Sequence, residues 1–346
     1  MKKIIYIAAY FLLANTGLNA QSVTYRVTTD DPYDIKNFSL AIDPLFMDIS
    51  GQNGFSGGWG LRADYLLGKR LQANFDMRNA FGTNGHDVKD PYNNTRNYFY
   101  LEGGLGLVIS HREVTRNVPI ILSQSTSGNY RYTVSISGGV PARMRKLVML
   151  RGGIYQMTNT FNLANLSDSL TYFKPKSGGT EEHTYHGMDT LNLFQSKIKG
   201  KNYGGFASTA VYAGFNFKTI CQLVLDVDGY GQRGNVRYND FFIDGIFAPV
   251  VSLKNYTTLD TTGGNTTRTE YDIKTKEKRY FGWRMGWVYR KPKDQGFSMK
   301  FEFGQRPGYK SFETNGKQSN YLKDMYAMFT FGLYIPLKVE PFYEGY

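Results

Sequence analysis

Between Met325 and Leu337 the odd positions are Met325, Ala327, Phe329, Phe331, Leu333, Ile335 and Leu337, all of them apolar. The even positions are Tyr326, Met328, Thr330, Gly332, Tyr334 and Pro336. Alternate side chains of a strand point to opposite faces, so this period of two predicts a strand with one hydrocarbon face and one face of small or amphipathic groups. At about 3.3 Å per residue and a tilt near 45°, such a segment covers roughly the 30 Å of a bilayer core. A transmembrane β-strand is the expectation.

The same alternation recurs along the chain. Trp59, Leu61, Ala63 and Tyr65 alternate with Arg62 and Asp64, and after Gly68 the pattern resumes with Leu71, Ala73, Phe75 and Met77, which predicts a hairpin. Further strands are predicted over 38–48, 97–110, 113–122, 130–139, 147–157, 203–216, 221–229, 239–253, 280–290 and 296–303. With the hairpin and the last strand these make thirteen, whereas a single-chain bacterial barrel needs an even number. The alternation of Thr269, Tyr271 and Ile273 across 267–275 supplies one more, for fourteen strands. The fold class predicted is all-β, a transmembrane antiparallel β-barrel over 38–337. Short connections at Gly68, Pro141 to Lys146, Lys218 and Lys291 to Gln295 read as periplasmic turns. The long ones, Phe81 to Arg96, Thr158 to Asn202, Tyr230 to Arg237 and Pro307 to Asn320, read as extracellular loops. Neither an internal repeat nor a second domain is visible.

The amino terminus adds an address. Lys2 and Lys3 precede an apolar run from Ile4 to Ala14 and a small residue at Ala20, the layout of a signal peptide over 1–20. Residues 21–37 are polar and read as a periplasmic leader, and 338–346 as a periplasmic tail. The one cysteine, Cys221, excludes a disulfide framework. No later segment approaches eighteen consecutive apolar residues, so no spanning helix is expected. Tyr and Phe number 27 and 24 among 346 residues, and ring residues favour strands and membrane interfaces. From the signal peptide to Leu337 the chain resembles the Gram-negative outer-membrane β-barrel proteins, the porin-like class, in pattern rather than in any diagnostic motif. That resemblance implies Sec-type export, an integral place in the outer membrane and contact with its lipid.

Charge then narrows the interior. The polar parity would place Arg62, Arg78, Arg131, Arg151, Arg268, Lys274, Arg284 and Lys300 in the lumen against Asp64, Asp76, Glu102, Asp226, Asp228, Asp244, Glu270, Asp272 and Glu302, eight positive against nine negative. A formal charge of +12 therefore does not predict an anion-selective pore. Mixed charges can pair across a lumen and fill it, or can line a wet, unselective channel. The surplus sits at predicted periplasmic turns, in Lys69, Arg70, Arg112, Arg143, Arg145, Lys146, Lys291 and Lys293, a basic rim suited to anionic head groups or an acidic partner.

Candidate chemistry is sparse. Glu181, Glu182, His183, His186 and Asp189 offer metal-ligand types at no standard spacing, so no metal site is assigned. His86 with Asp87 could activate water, but companion acids in a recognisable pattern are missing. Ser110 and His111 are neighbours in a strand and point to opposite faces, which excludes a dyad. Asp168, Ser169, Leu170 and Asp189, Thr190, Leu191 match an Asp, hydroxyl, apolar acceptor pattern for O-glycosylation at Ser169 and Thr190. The function expected is therefore non-enzymatic, without catalytic residues, cofactor or nucleic acid. It is that of a structural or accessory subunit docking a periplasmic or outer-membrane protein through its long outer loop and basic turns. A passive diffusion channel is the alternative, and a surface hydrolase a remote third.

Overall fold

The computed structural model describes residues 23–50, 54–67, 70–81, 98–162, 171–175, 183–184, 203–262, 265–291, 296–310 and 324–337. In chain order the strands are β1 (Tyr25–Asp30), β2 (Phe38–Ser50), β3 (Gly54–Leu67), β4 (Leu71–Ala80), β5 (Phe99–Val118), β6 (Ile121–Ser127), β7 (Tyr130–Ser135), β8 (Val140–Asn162) and β9 (Thr171–Pro175). There follow β10 (His183–Thr184), β11 (Tyr203–Val227), β12 (Gly231–Thr262), β13 (Asn265–Thr275), β14 (Lys278–Arg279), β15 (Phe281–Lys291), β16 (Gly296–Gln305), β17 (Gly308–Tyr309) and β18 (Met325–Leu337). No α-helix occurs among the described residues.

Neighbouring strands run in the order β11, β8, β5, β4, β3, β2, β18, β16, β15, β12, and β12 pairs back to β11. The ring is a closed antiparallel barrel of ten strands, not fourteen. Four further strands of the same sheet do not lie in the ring: β1 pairs with β11, while β13, β9 and β10 extend in succession from β12.

The excess in the expected count has two causes. Residues 97–110 and 113–122 belong mostly to one strand, β5, and 203–216 and 221–229 are joined in β11. Lys218 had the look of a turn, yet it stands in register opposite Leu147. A barrel interior that accepts charge lets a lysine sit within a strand, so the alternation simply continues through it. The other two expected strands, 130–139 and 267–275, exist in large part as β7 and β13 but are not staves of the ring. Arg143, Arg145 and Lys146, expected in a turn, are likewise within β8, and Arg112 within β5.

The chain forms two compact units, 1–31 with 115–143 and 222–235, and 32–114 with 144–221 and 236–346. Among the described residues of the smaller unit the buried side chains are Val118, Ile120, Leu122, Val140, Ala142, Leu223, Leu225 and Val227, all apolar. That is the order of a protein built for water. The larger unit inverts it. Asp43, Asp48, Arg62, Asp76, Arg78, Glu102, Asp240, Asp244, Arg284 and Glu302 are buried, while Ile42, Leu105, Leu107, Ile154, Phe215, Phe241, Trp287, Phe331 and Leu333 are exposed. In β18 the exposed face is the odd, apolar parity, with Leu333 at 59% and the even-numbered Met328 at 0%.

Candidate functional site

The barrel interior is a column of paired charges, and the pleat is what puts them there. On β3, Arg62 follows Leu61 and precedes Ala63; its side chain turns inward and its guanidinium forks onto Asp43, with Nε 2.6 Å from Oδ2 and Nη2 2.7 Å from Oδ1. Nη2 also donates to Ser298 Oγ at 3.0 Å. Nearby, Lys218 donates to Gln72 Oε1 at 2.9 Å and lies 3.5 Å from Asp240. Arg290 reaches Asp240 at 2.8 Å and also pairs with Asp64, which accepts from Gln72 at 2.9 Å.

The centre is Arg284. Its Nη1 and Nη2 donate to the two oxygens of Glu102, each at 2.8 Å, and its Nε donates to Asp244 at 2.7 Å. Its guanidinium lies 4.4 Å from the Tyr212 ring centroid. Arg151 stands 3.2 Å from Glu102 and 3.4 Å from Asp244, with the Phe242 ring 4.5 Å away. Beside this group Lys300 lies 3.0 Å from both Asp76 and Glu302, Arg78 pairs with Asp76, and Tyr326 donates to Glu302 at 2.5 Å. Arg306 pairs with Asp48 at 2.7 Å, its guanidinium 3.6 Å from the Tyr326 ring centroid.

In these pairs Asp43, Asp48, Asp64, Asp76, Glu102, Asp240, Asp244 and Glu302 meet Arg62, Arg78, Arg151, Lys218, Arg284, Arg290, Lys300 and Arg306, eight acids against eight bases. A buried charge is tolerated only when paired, and here the partners come from the same strand (Arg78 with Asp76), from neighbouring strands (Arg62 with Asp43) and from strands further round the ring (Arg284 with Glu102, Arg290 with Asp64, Lys300 with Asp76). An aromatic and aliphatic cluster that includes Phe46, Tyr98, Tyr100, Tyr155, Phe206 and Tyr309 packs the barrel further, and a second one gathers Leu147, Met149, Ile220, Tyr238 and Tyr334, with Ile35 against it. A cavity of about 50 Å³ remains, bordered by Asp64, Asn74, Asp76, Arg151, Arg290 and Lys300 among others. Space of that order holds a few waters. Backbone approach is close as well: a Cβ added to Gly104 would lie 2.1 Å from Tyr212 Oη and 2.9 Å from Gly152 O.

Of the residues expected in the lumen, Arg62, Asp64, Asp76, Arg78, Glu102, Arg151, Asp244, Arg284, Lys300 and Glu302 come together in this column. Arg131, Asp226 and Asp228 do not. All three are exposed in the smaller unit: Arg131, beside Gln124, is on β7, which is not a stave of the ring, Asp226 is on the end of β11 that belongs to this unit, and Asp228 is in the turn after it.

Asp43, Asp48, Lys218, Asp240, Arg290 and Arg306 were not expected inside. Asp43 and Asp48 differ in parity, yet both are buried, because a bulge at Pro44 and Leu45 shifts the β2–β3 register between Asp43 and Phe46 and swaps the faces. Pro44 within a strand was the available signal. Asp240 shares parity with Asp244, and Arg290 with Arg284, so the alternation alone could have found both.

The residues expected in a basic rim lie on several elements. Arg70 is exposed between β3 and β4, Lys291 at the end of β15, Arg112 on β5 and Arg143 on β8, where its N–H donates to Asp30 at 2.8 Å. Lys146 is half-buried, and Arg145 is buried with its guanidinium 4.6 Å from the Tyr33 ring centroid. Ser110 and His111 are consecutive exposed residues of β5. His183 lies on β10, opposite Phe173. The signal peptide, the tail, Lys69, Lys293, His86, Asp87, Glu181, Glu182, His186, Asp189, Ser169 and Thr190 fall outside the described residues. Comparison with protein-family models, curated proteins and solved structures finds no match to this chain.

Proposed function

We propose that this protein is an integral outer-membrane β-barrel that does not conduct, a non-enzymatic scaffold for another envelope component. The single observation that carries the reading is the inversion of the barrel, with paired charges inside and large apolar side chains exposed on the outside of its strands. An exposed apolar belt of this extent is costly in water and is what a strand barrel presents to lipid. The layout of residues 1–20, two lysines, an apolar run and a small residue at Ala20, is that of a signal peptide for Sec-type export and agrees with that address. The filling supports non-conduction: ten strands enclose little space, and charge pairs, rings and close backbone contacts are packed into it. In a filled barrel of this kind the surfaces on either side of the membrane are what meets another envelope component.

Planar-bilayer recording of the detergent-purified mature protein tests this reading. The expected result is insertion without a steady open current. Large persistent conductance would favour a diffusion channel, and a protein that stays in solution without detergent would remove the membrane from the argument altogether.

A further inference from the structure

The hairpin β6–β7 of the smaller unit is exposed to an unusual degree. Its strands run antiparallel about the two-residue loop Gly128–Asn129, with Gly128 at φ 58°. Every residue from 123 to 135 is exposed, on both faces. Tyr130, Tyr132 and Val134 stand on one face at 72%, 56% and 45% exposure, across from Ser127, Ser125 and Ser123. A two-stranded hairpin open on both sides is marginally stable in water by itself, so its surface lacks the partner that usually stabilises such a ribbon.

The outer edge of β7 is open too. Its sheet contains two strands only, and among the described residues no other strand pairs with it. Counting from the tight loop, the 127–130, 125–132 and 123–134 pairs exchange hydrogen bonds, which turns the N–H and C=O groups of Arg131, Thr133 and Ser135 toward the open edge. Open edges are ordinarily blunted by charge, proline or a bulge. A further edge strand of this unit, β1, has such guards in Arg26, Asp30 and a register shift between Val27 and Thr29. β7 has none beyond Arg131, and its Tyr, Thr and Val residues favour pairing.

Charge indicates what would pair. Residues 118–142, which include the hairpin, contain no Asp or Glu, and Arg131 is exposed on β7, while the exposed acids of the same unit, Asp226 and Asp228, belong to the end of β11 and the turn after it.

We propose that β7 is a docking edge for an extended, acidic segment of a partner protein, which adds to the hairpin as a third strand. This inference rests on the scaffold reading above. The added strand would bond to the backbone of Arg131, Thr133 and Ser135, lay its apolar side chains over the face of Tyr130 and Tyr132, and offer carboxylates to the face of Arg131. Strand addition of this kind takes affinity from the main chain and selectivity from alternate side chains.

The test uses the full mature chain in detergent micelles and two fluorescent peptides, one alternating Glu with Val and the other Lys with Val, read by anisotropy. The Glu peptide is expected to bind and the Lys peptide not. Thr133→Pro blocks the open edge while sparing the β6 bonds, and is expected to weaken binding roughly tenfold or more, the equivalent of about 1.4 kcal/mol. Arg131→Glu, which leaves the edge intact, is expected to reverse the preference between peptides. Heat-modifiable electrophoretic mobility verifies that each variant retains a folded barrel.

The proposal is overturned if the Glu peptide does not bind, if both peptides bind alike, or if Thr133→Pro leaves binding unchanged. A protein dimer that Thr133→Pro dissolves would assign the edge to a second copy and overturn it equally. Loss of peptide binding in a protein that still needs detergent and does not conduct removes the docking edge alone. Solubility without detergent removes the scaffold reading, and the peptide result is then judged separately.

Discussion

Arg284 shows how a single side chain can depend on the whole barrel. It bonds to Glu102 from β5 and Asp244 from β12, and its own position is on β15. Replacing it by Met removes one charge and leaves two carboxylates buried around an apolar chain. Breaking a buried pair in this way costs about 3–5 kcal/mol, which urea unfolding in lipid vesicles should register as a lower midpoint. At the opposite face Phe331 points outward, 38% exposed and near the middle of β18. If that face meets hydrocarbon, Phe331→Arg destabilises the folded barrel by about 2–4 kcal/mol. On a water-facing surface the same change would stay within about 0.5 kcal/mol, so this one variant reports which solvent the belt meets.

At the scale of elements, parity was legible and continuity was not. The outward and inward sets of β3, β4, β16 and β18 follow directly from alternation, since a strand has no other way to arrange its side chains. Where charged residues interrupted the apolar rhythm, as at Lys218 and at Arg143 to Lys146, they resembled turn chemistry, although β11 and β8 run through them. Lys218→Pro discriminates between the two readings. In a turn it would be tolerated, but in the interior of β11, paired to β8 at Leu147, it removes a ladder hydrogen bond. The expected outcome is loss of the heat-modifiable folded band on electrophoresis, with Lys218→Gln retaining it. The Pro44 bulge is the converse case, a local irregularity that turns Asp43 and Asp48 to the same face. Strict alternation has no means of finding it.

For the whole molecule, the number of staves decides the interior. Fourteen strands could surround water, whereas ten leave room chiefly for their own side chains. Near balance between acids and bases was legible in the residue list, and a balanced set is compatible with either a wet channel or a filled one. Several of the pairs join distant positions, such as Arg284 to Glu102 and Arg290 to Asp64, and closing the ring is what brings those within reach. The smaller unit with its apolar interior was not anticipated, because its strand segments are continuous in sequence with staves of the barrel and share their alternation.

The amino-acid order by itself determined that the protein is all-β, which parity of each strand is apolar, and that its polar parity is nearly neutral. Each of those properties is set by neighbours two residues apart. Only the tertiary structure decided how many strands close the ring, which charges meet, and that β6 and β7 pair only with each other in a two-stranded sheet. Those depend on register between segments that can be more than two hundred residues apart, as in the Arg62–Ser298 bond at a separation of 236, and no local pattern encodes such a register.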